Sequence, residues 1–216
     1  MLGYMGHGDW RDMSEYVVHL TDRDSIQGVF GAGAIEAGAT TGVVRKLPEL
    51  GDSQMSVCLS EIPLGHLDRL ADRHGTYGVG FAKRFIESQG GQMVTYLRKD
   101  TPGAVRFQAL VTAAMRGSID PNDPLWEITQ FYDNPGEYGE TRYEFDWERE
   151  WRVPRQLRFA ENEVVFLLAP EEDDRWMRET AWSRLAASAY QGVVLDPRWN
   201  IDRIQQELIS NGSGLA

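Results

Sequence analysis

Nine consecutive residues carry the chemistry of this sequence most openly: Glu144-Phe145-Asp146-Trp147-Glu148-Arg149-Glu150-Trp151-Arg152. As a strand, the run projects Glu144, Asp146, Glu148 and Glu150 to one side and Phe145, Trp147, Arg149 and Trp151 to the other. Four carboxylates on one face repel each other. That cost makes sense where the face opens on a cleft in which positive charge develops, so the run reads as the acidic wall of an active site. Glu148 and Glu150 are the sharpest pair, with Cβ atoms about 7 Å apart along a strand. One carboxylate would hold a sugar hydroxyl while the other reaches a nucleophile, or both would stabilise an oxocarbenium-like transition state of glycosyl transfer. The competing reading is a surface strand whose acids pair with Arg142, Arg152 or Arg155. Such pairs contribute only about 0–1 kcal/mol, too little to select four acids in a row.

Other candidates are weaker. His19 ends an apparent strand and precedes Thr21 and Asp22; a hydrogen-bonded structural histidine and a ligand contact at a sheet edge are both open. Tyr77-Gly78-Val79-Gly80-Phe81 sets aromatic rings among glycines that permit close approach. A flat heteroaromatic ligand would stack there, and a tight turn packed by two aromatics is the alternative. His66 and His74 stand eight apart with Asp68 and Asp72 between them, wrong for ligands that share a helix face at three or four, so solvation explains them better. Cys58, in an apolar stretch, reads as a buried inert thiol. No phosphate loop and no Gly-x-Ser-x-Gly turn is present. The Gly31, Gly33 and Gly38 series follows a helix, where a dinucleotide fingerprint must follow a strand.

The elements that would position these residues follow from periodicity. Strands are expected at 15–20, 55–60, 77–81, 93–97, 126–132, 143–153, 164–168 and 193–195. Helices are expected at 25–30, 63–74, 83–89, 105–115, 175–190 and 201–209, with Thr21 and Asp22 as caps of the first. Residues 1–13 read as a loose Gly-rich lead-in, 31–42 as a loop, 120–124 as a turn and 210–216 as a tail. Helices inserted in mixed order among strands predict an α+β fold: a mixed, mainly antiparallel sheet with inserted and flanking helices.

At 216 residues, one domain with a substantial core is expected over the whole chain. No apolar run approaches the ~20 residues of a membrane span, and Met1 to Trp10 lacks the charged-then-apolar order of a secretory signal. With a single cysteine, which excludes an intramolecular disulfide, a cytoplasmic location is the default. The net charge of −11 argues against broad phosphate-backbone binding, and its acidic stretches could dock a basic partner protein.

Taken in order, Val18-His19-Leu20-Thr21, Cys58-Leu59-Ser60-Glu61-Ile62-Pro63-Leu64, Tyr77-Gly78-Val79-Gly80-Phe81-Ala82-Lys83 and Glu148-Arg149-Glu150-Trp151-Arg152 resemble the AbiGi-like abortive-infection family of bacterial phage-defence proteins. The resemblance runs from about Val17 to Pro170. The same motif order is similar to the ADP-ribosyltransferase fold. That second likeness implies NAD as substrate and no metal. It would set His19 and Thr21 on the dinucleotide and stack Tyr77 on nicotinamide, with Gly78 and Phe81 also binding NAD. Glu150 would stabilise the oxocarbenium ion and Glu148 would prepare the acceptor. Two expectations of different kinds result. The first is an NAD-dependent ADP-ribosyltransferase toxin of a phage-defence system that modifies a protein or nucleic acid. The second is a non-enzymatic antitoxin or regulatory partner that uses its acidic segments to cover a basic toxin.

Overall fold

The computed structural model describes residues 15–61, 63–116, 119–138, 140–143, 146–182 and 189–210. Along the chain run β1 (Tyr16–Thr21), α1 (Arg23–Ala32), β2 (Ala34–Glu36), β3 (Ala39–Thr40), α2 (Gly51–Gln54), β4 (Met55–Ser60), α3 (Leu67–His74) and β5 (Tyr77–Ala82). Next come α4 (Lys83–Ser88), β6 (Gln92–Met93), β7 (Thr95–Tyr96), α5 (Pro102–Ala114), α6 (Pro124–Thr129), β8 (Tyr132–Asp133), β9 (Gly136–Tyr138) and β10 (Thr141–Tyr143). The rest are β11 (Glu150–Pro154), β12 (Gln156–Arg158), β13 (Val164–Leu168), α7 (Asp174–Thr180), β14 (Val193–Leu195) and α8 (Ile201–Ser210). The class is α+β, with mainly antiparallel pairing and flanking helices. Two compact units are distinguishable. One is built from the chain up to Ile35, Leu59–Gln89 and Leu157 onward; the other is built from Glu36–Cys58 and Gly90–Gln156.

In the first unit β1, β5, β13 and β14 lie side by side, antiparallel except for the parallel β13–β14 pair. The β1–β5 register sets His19 opposite Val79, Leu20 opposite Gly78 and Thr21 opposite Tyr77. Val17, Val79, Phe81 and Phe166 to Leu168 are buried, which is what strands covered on both faces require. The glycines of β5 are there for packing. A Cβ at Gly78 would lie 2.4 Å from the His19 carbonyl oxygen, and one at Gly80 would lie 2.4 Å from the Phe166 ring. Helix α1 begins where Asp22 accepts the Ser25 amide at 2.8 Å, and it buries Ile26 and Phe30. Helix α8 buries Ile204 and Leu208.

The second unit holds a core of Val44, Leu50, Val111 and Trp126, with Leu47, Phe107 and Met115 packed against it. Short pairs surround it: β3–β4, β6–β11 and β9–β10 antiparallel, β7–β8 parallel. Gln54, wholly buried, ties α2 to α6. It donates to the Trp126 carbonyl at 2.7 Å and accepts from the Thr129 hydroxyl at 3.1 Å.

Three expected elements are corrected. The strand at 126–132 is helix α6 through Thr129. Its start is written in the sequence as Asp123, which accepts the Leu125 amide at 2.9 Å, followed by Pro124 in the first turn. The long strand at 143–153 is interrupted. Strand β10 ends at Tyr143, residues 146–148 form a 3-10 turn, and Arg149 has φ +45° before β11 starts at Glu150. A positive φ ends strand alternation, so Glu148 and Glu150 do not share a strand face as the i, i+2 spacing suggested. Glu144 and Phe145 lie outside the described residues. The helix expected over 175–190 stops at Thr180, with Trp182 at φ +54° two residues later; 183–188 are outside the described residues.

Candidate functional site

The chemistry of the acidic run turns on Arg152. On β11 it stands two residues from Glu150, so strand geometry places both side chains on one face. The guanidinium is 3% exposed and fully engaged. Its Nε donates to Glu150 Oε1 at 2.9 Å, and Nη2 donates to Glu150 Oε2 at 2.8 Å and to Asp133 Oδ2 at 3.0 Å. Its Nη1 donates to the Gln130 carbonyl. Burial works against the Arg152 charge, but Glu150 and Asp133 outweigh it and raise the pKa above the ordinary arginine value. The Glu150 carboxylate is therefore held in a bidentate pair with an arginine, the arrangement that fixes geometry most tightly.

Asp133, at the end of β8, is the second anchor. It accepts from Arg45 Nη1 at 3.1 Å, from the Asn134 amide at 3.0 Å and from the Tyr143 hydroxyl at 3.4 Å. Arg45 also donates to the Gly42 carbonyl at 2.8 Å, and its guanidinium lies 5.6 Å from the centre of the Tyr143 ring. Burial first, then the Asp133 charge, raises the Tyr143 pKa.

Against this network lies a cavity of about 580 Å³, wholly within the second unit. Val43, Val44, Leu47, Val111 and Met115 supply its apolar lining; Arg45, Lys46, Asp133, Asn134, Tyr138 and Tyr143 supply the polar part. Neither Glu148 nor Glu150 is among the described residues that line it. The volume lies within the range of ordinary binding pockets. An apolar floor beside convergent cations suits a mixed apolar and anionic group.

The residues expected to bind NAD are distributed as follows. His19, Thr21, Tyr77, Gly78 and Phe81 come together on the paired β1 and β5 of the first unit, while Glu148 and Glu150 belong to the second. Phe81 is 0% exposed, edge-on to Phe159 at 5.0 Å. Tyr77 is buried; its hydroxyl donates to Asp173 and its ring meets Trp176 edge-on at 5.6 Å. Burial, then the bond to Asp173 and its charge, pushes the Tyr77 pKa up to about 12. Glu148 is buried. Cys58 is an exposed residue on β4, while burial of its thiol first, and then the Glu150 charge, raise its pKa above the ordinary cysteine value.

Arg45, Asp133 and the cavity were not singled out from the sequence. The available signal was Val43-Val44-Arg45-Lys46-Leu47, adjacent cations inside an apolar stretch, together with the Asp133-Asn134-Pro135-Gly136 turn. Residues 43–47 follow the loop expected at 31–42, and 133–136 fall between two expected strands, so neither segment belongs to an expected element.

A family described as "Putative abortive phage resistance protein AbiGi, antitoxin" matches residues 49–172, more than half of the 216. No curated protein and no solved structure matches the chain. The matching description overturns the expectation of an ADP-ribosyltransferase enzyme with NAD as its cofactor and substrate, and the ADP-ribosyltransferase-like refinement of the fold finds no support. The physical reason lies in the acidic run itself. Its apparent alternation is broken at Arg149, and the carboxylate assigned to catalysis, Glu150, is bound to Arg152.

Proposed function

The chain belongs to the AbiGi family, and on that premise we propose that it is a non-enzymatic antitoxin that binds a cognate toxin protein and holds it inactive. The observation that carries this reading is the family match over residues 49–172 with its antitoxin description. The charge of −11 supports it, because an acidic surface draws in a basic partner and speeds encounter. The pairing of Glu150 with Arg152 is also what a scaffold needs, since a carboxylate so held stabilises local structure and is not poised to stabilise a developing cation.

The test is genetic and direct. The protein encoded by the neighbouring gene is induced in a bacterial host alone, then together with this chain. Growth arrest by the neighbour, relieved when both are made, is the expected result. Arrest caused by this chain on its own would overturn the reading.

A further inference from the structure

We propose that the cavity beside α5 is the pocket in which the toxin seats an anchor segment: an apolar side chain carried next to a carboxylate. The inference rests on the antitoxin reading and adds where the toxin docks and by what chemistry.

Three observations select this occupant. The cavity, about 580 Å³, is large enough for a short run of side chains. Its floor is aliphatic, from Val44, Leu47, Val111 and Met115, so the inserted group is apolar. Its charge is unbalanced. Arg45 and Lys46 both line it, while Asp133, the lining carboxylate, is already bound to Arg45 at 3.1 Å and to the buried Arg152 at 3.0 Å. A cationic excess is thus concentrated at one wall of a protein whose net charge is −11. Over most of such a surface a partner's carboxylate is repelled; here it is attracted. The acidic surface would supply long-range attraction to a basic toxin, and the cavity would supply register, since charge complementarity at one point fixes specificity more than bulk affinity. The apolar surface continues outside the cavity. Val105 on α5, three residues before the lining Gln108, is 59% exposed, and Tyr138 is 46% exposed. A ring or aliphatic side chain seated in such a pocket is the form that interface hot spots take.

The test uses purified full-length chain and the toxin encoded by the neighbouring gene. Lys46 and Gln108 are both exposed, so substitutions there leave the core untouched. K46E reverses the charge at the wall, K46R preserves it, and Q108W fills the cavity from the helix surface. Unchanged thermal unfolding of each variant establishes that it is folded. Calorimetry is expected to show affinity for the toxin falling about tenfold or more in K46E and in Q108W, and staying within about threefold in K46R. The loss in K46E shrinks as salt screens the pair. Wild-type affinity in both K46E and Q108W, with the wild-type chain still neutralising the toxin, overturns this docking site and leaves the antitoxin reading intact. A wild-type chain that neither binds nor neutralises overturns the reading beneath it.

Discussion

Arg152 shows how a residue's neighbours decide what its chemistry is for. A guanidinium that is 3% exposed is tolerable only because Glu150, Asp133 and the Gln130 carbonyl meet it from different directions. Removing it takes the bidentate cation away from Glu150 and leaves Asp133 to Arg45, so Arg152→Ala is expected to cost about 3–5 kcal/mol, read as a lowered midpoint in urea unfolding. Arg152→Lys is expected to recover only part of that, since an ammonium cannot bridge Glu150 bidentately. Tyr77 gives a second readout at this scale. Burial and Asp173 raise its pKa to about 12, above the 10.0 of an unperturbed tyrosine. The folded form holds the proton more tightly than the unfolded one, so Tyr77's contribution to stability is complete below pH 10.0 and lost as pH rises towards about 12. Tyr77→Phe is expected to remove a late-titrating phenol from a near-ultraviolet absorbance titration; an unchanged titration would contradict the assignment.

Elements with explicit local signals were legible in the sequence, and elements made by context were not. Helix α5 is legible at 105–115 from its apolar spacing, and it starts three residues earlier, at Pro102, where the Thr101 hydroxyl accepts the Ala104 amide. Thr101→Ala is expected to destabilise the second unit by about 1 kcal/mol in chemical denaturation. Strand β5 was legible from Tyr77 to Phe81, but its glycines were open to two meanings, and the approach of the His19 carbonyl and the Phe166 ring decides between them. Helix α6 carries a cap and a proline, but its β-branched and aromatic composition favours a strand, and the Trp126 core decides for a helix. The break at Arg149 left no trace, since nothing but surrounding structure forces φ +45° on an arginine. Gly42 ends the stretch whose composition reads as a loop. With φ +80°, a Cβ there would stand 2.3 Å from the Thr129 carbonyl, so Gly42→Ala is expected to destabilise by more than about 1 kcal/mol in the same assay.

At the scale of the whole molecule the dominant property is its charge of −11. Acids engaged in the folded state link stability to pH. Hydrogen bonds from Arg203 and then Trp199 lower the Glu171 pKa below the usual carboxylate value, and the Ser25 amide does the same for Asp22. Their contributions are present above the unfolded-state pKa and lost as pH falls through the folded one, so stability is expected to decline on acidification below the ordinary carboxylate range. A flat unfolding midpoint across that window would contradict these pairings. The same charge frames the partner. An acidic body with a cationic, apolar-floored cavity among its described residues is suited to capture a basic protein and hold it in one orientation. The central claim, that this AbiGi-family chain is an antitoxin, is tested most directly by titrating it against the purified neighbouring toxin while following the toxin's inhibitory effect in a cell-free growth-essential reaction. Saturable, stoichiometric loss of inhibition with formation of a complex is the expected result. A toxin that stays fully active, with no complex at any ratio, would contradict the account.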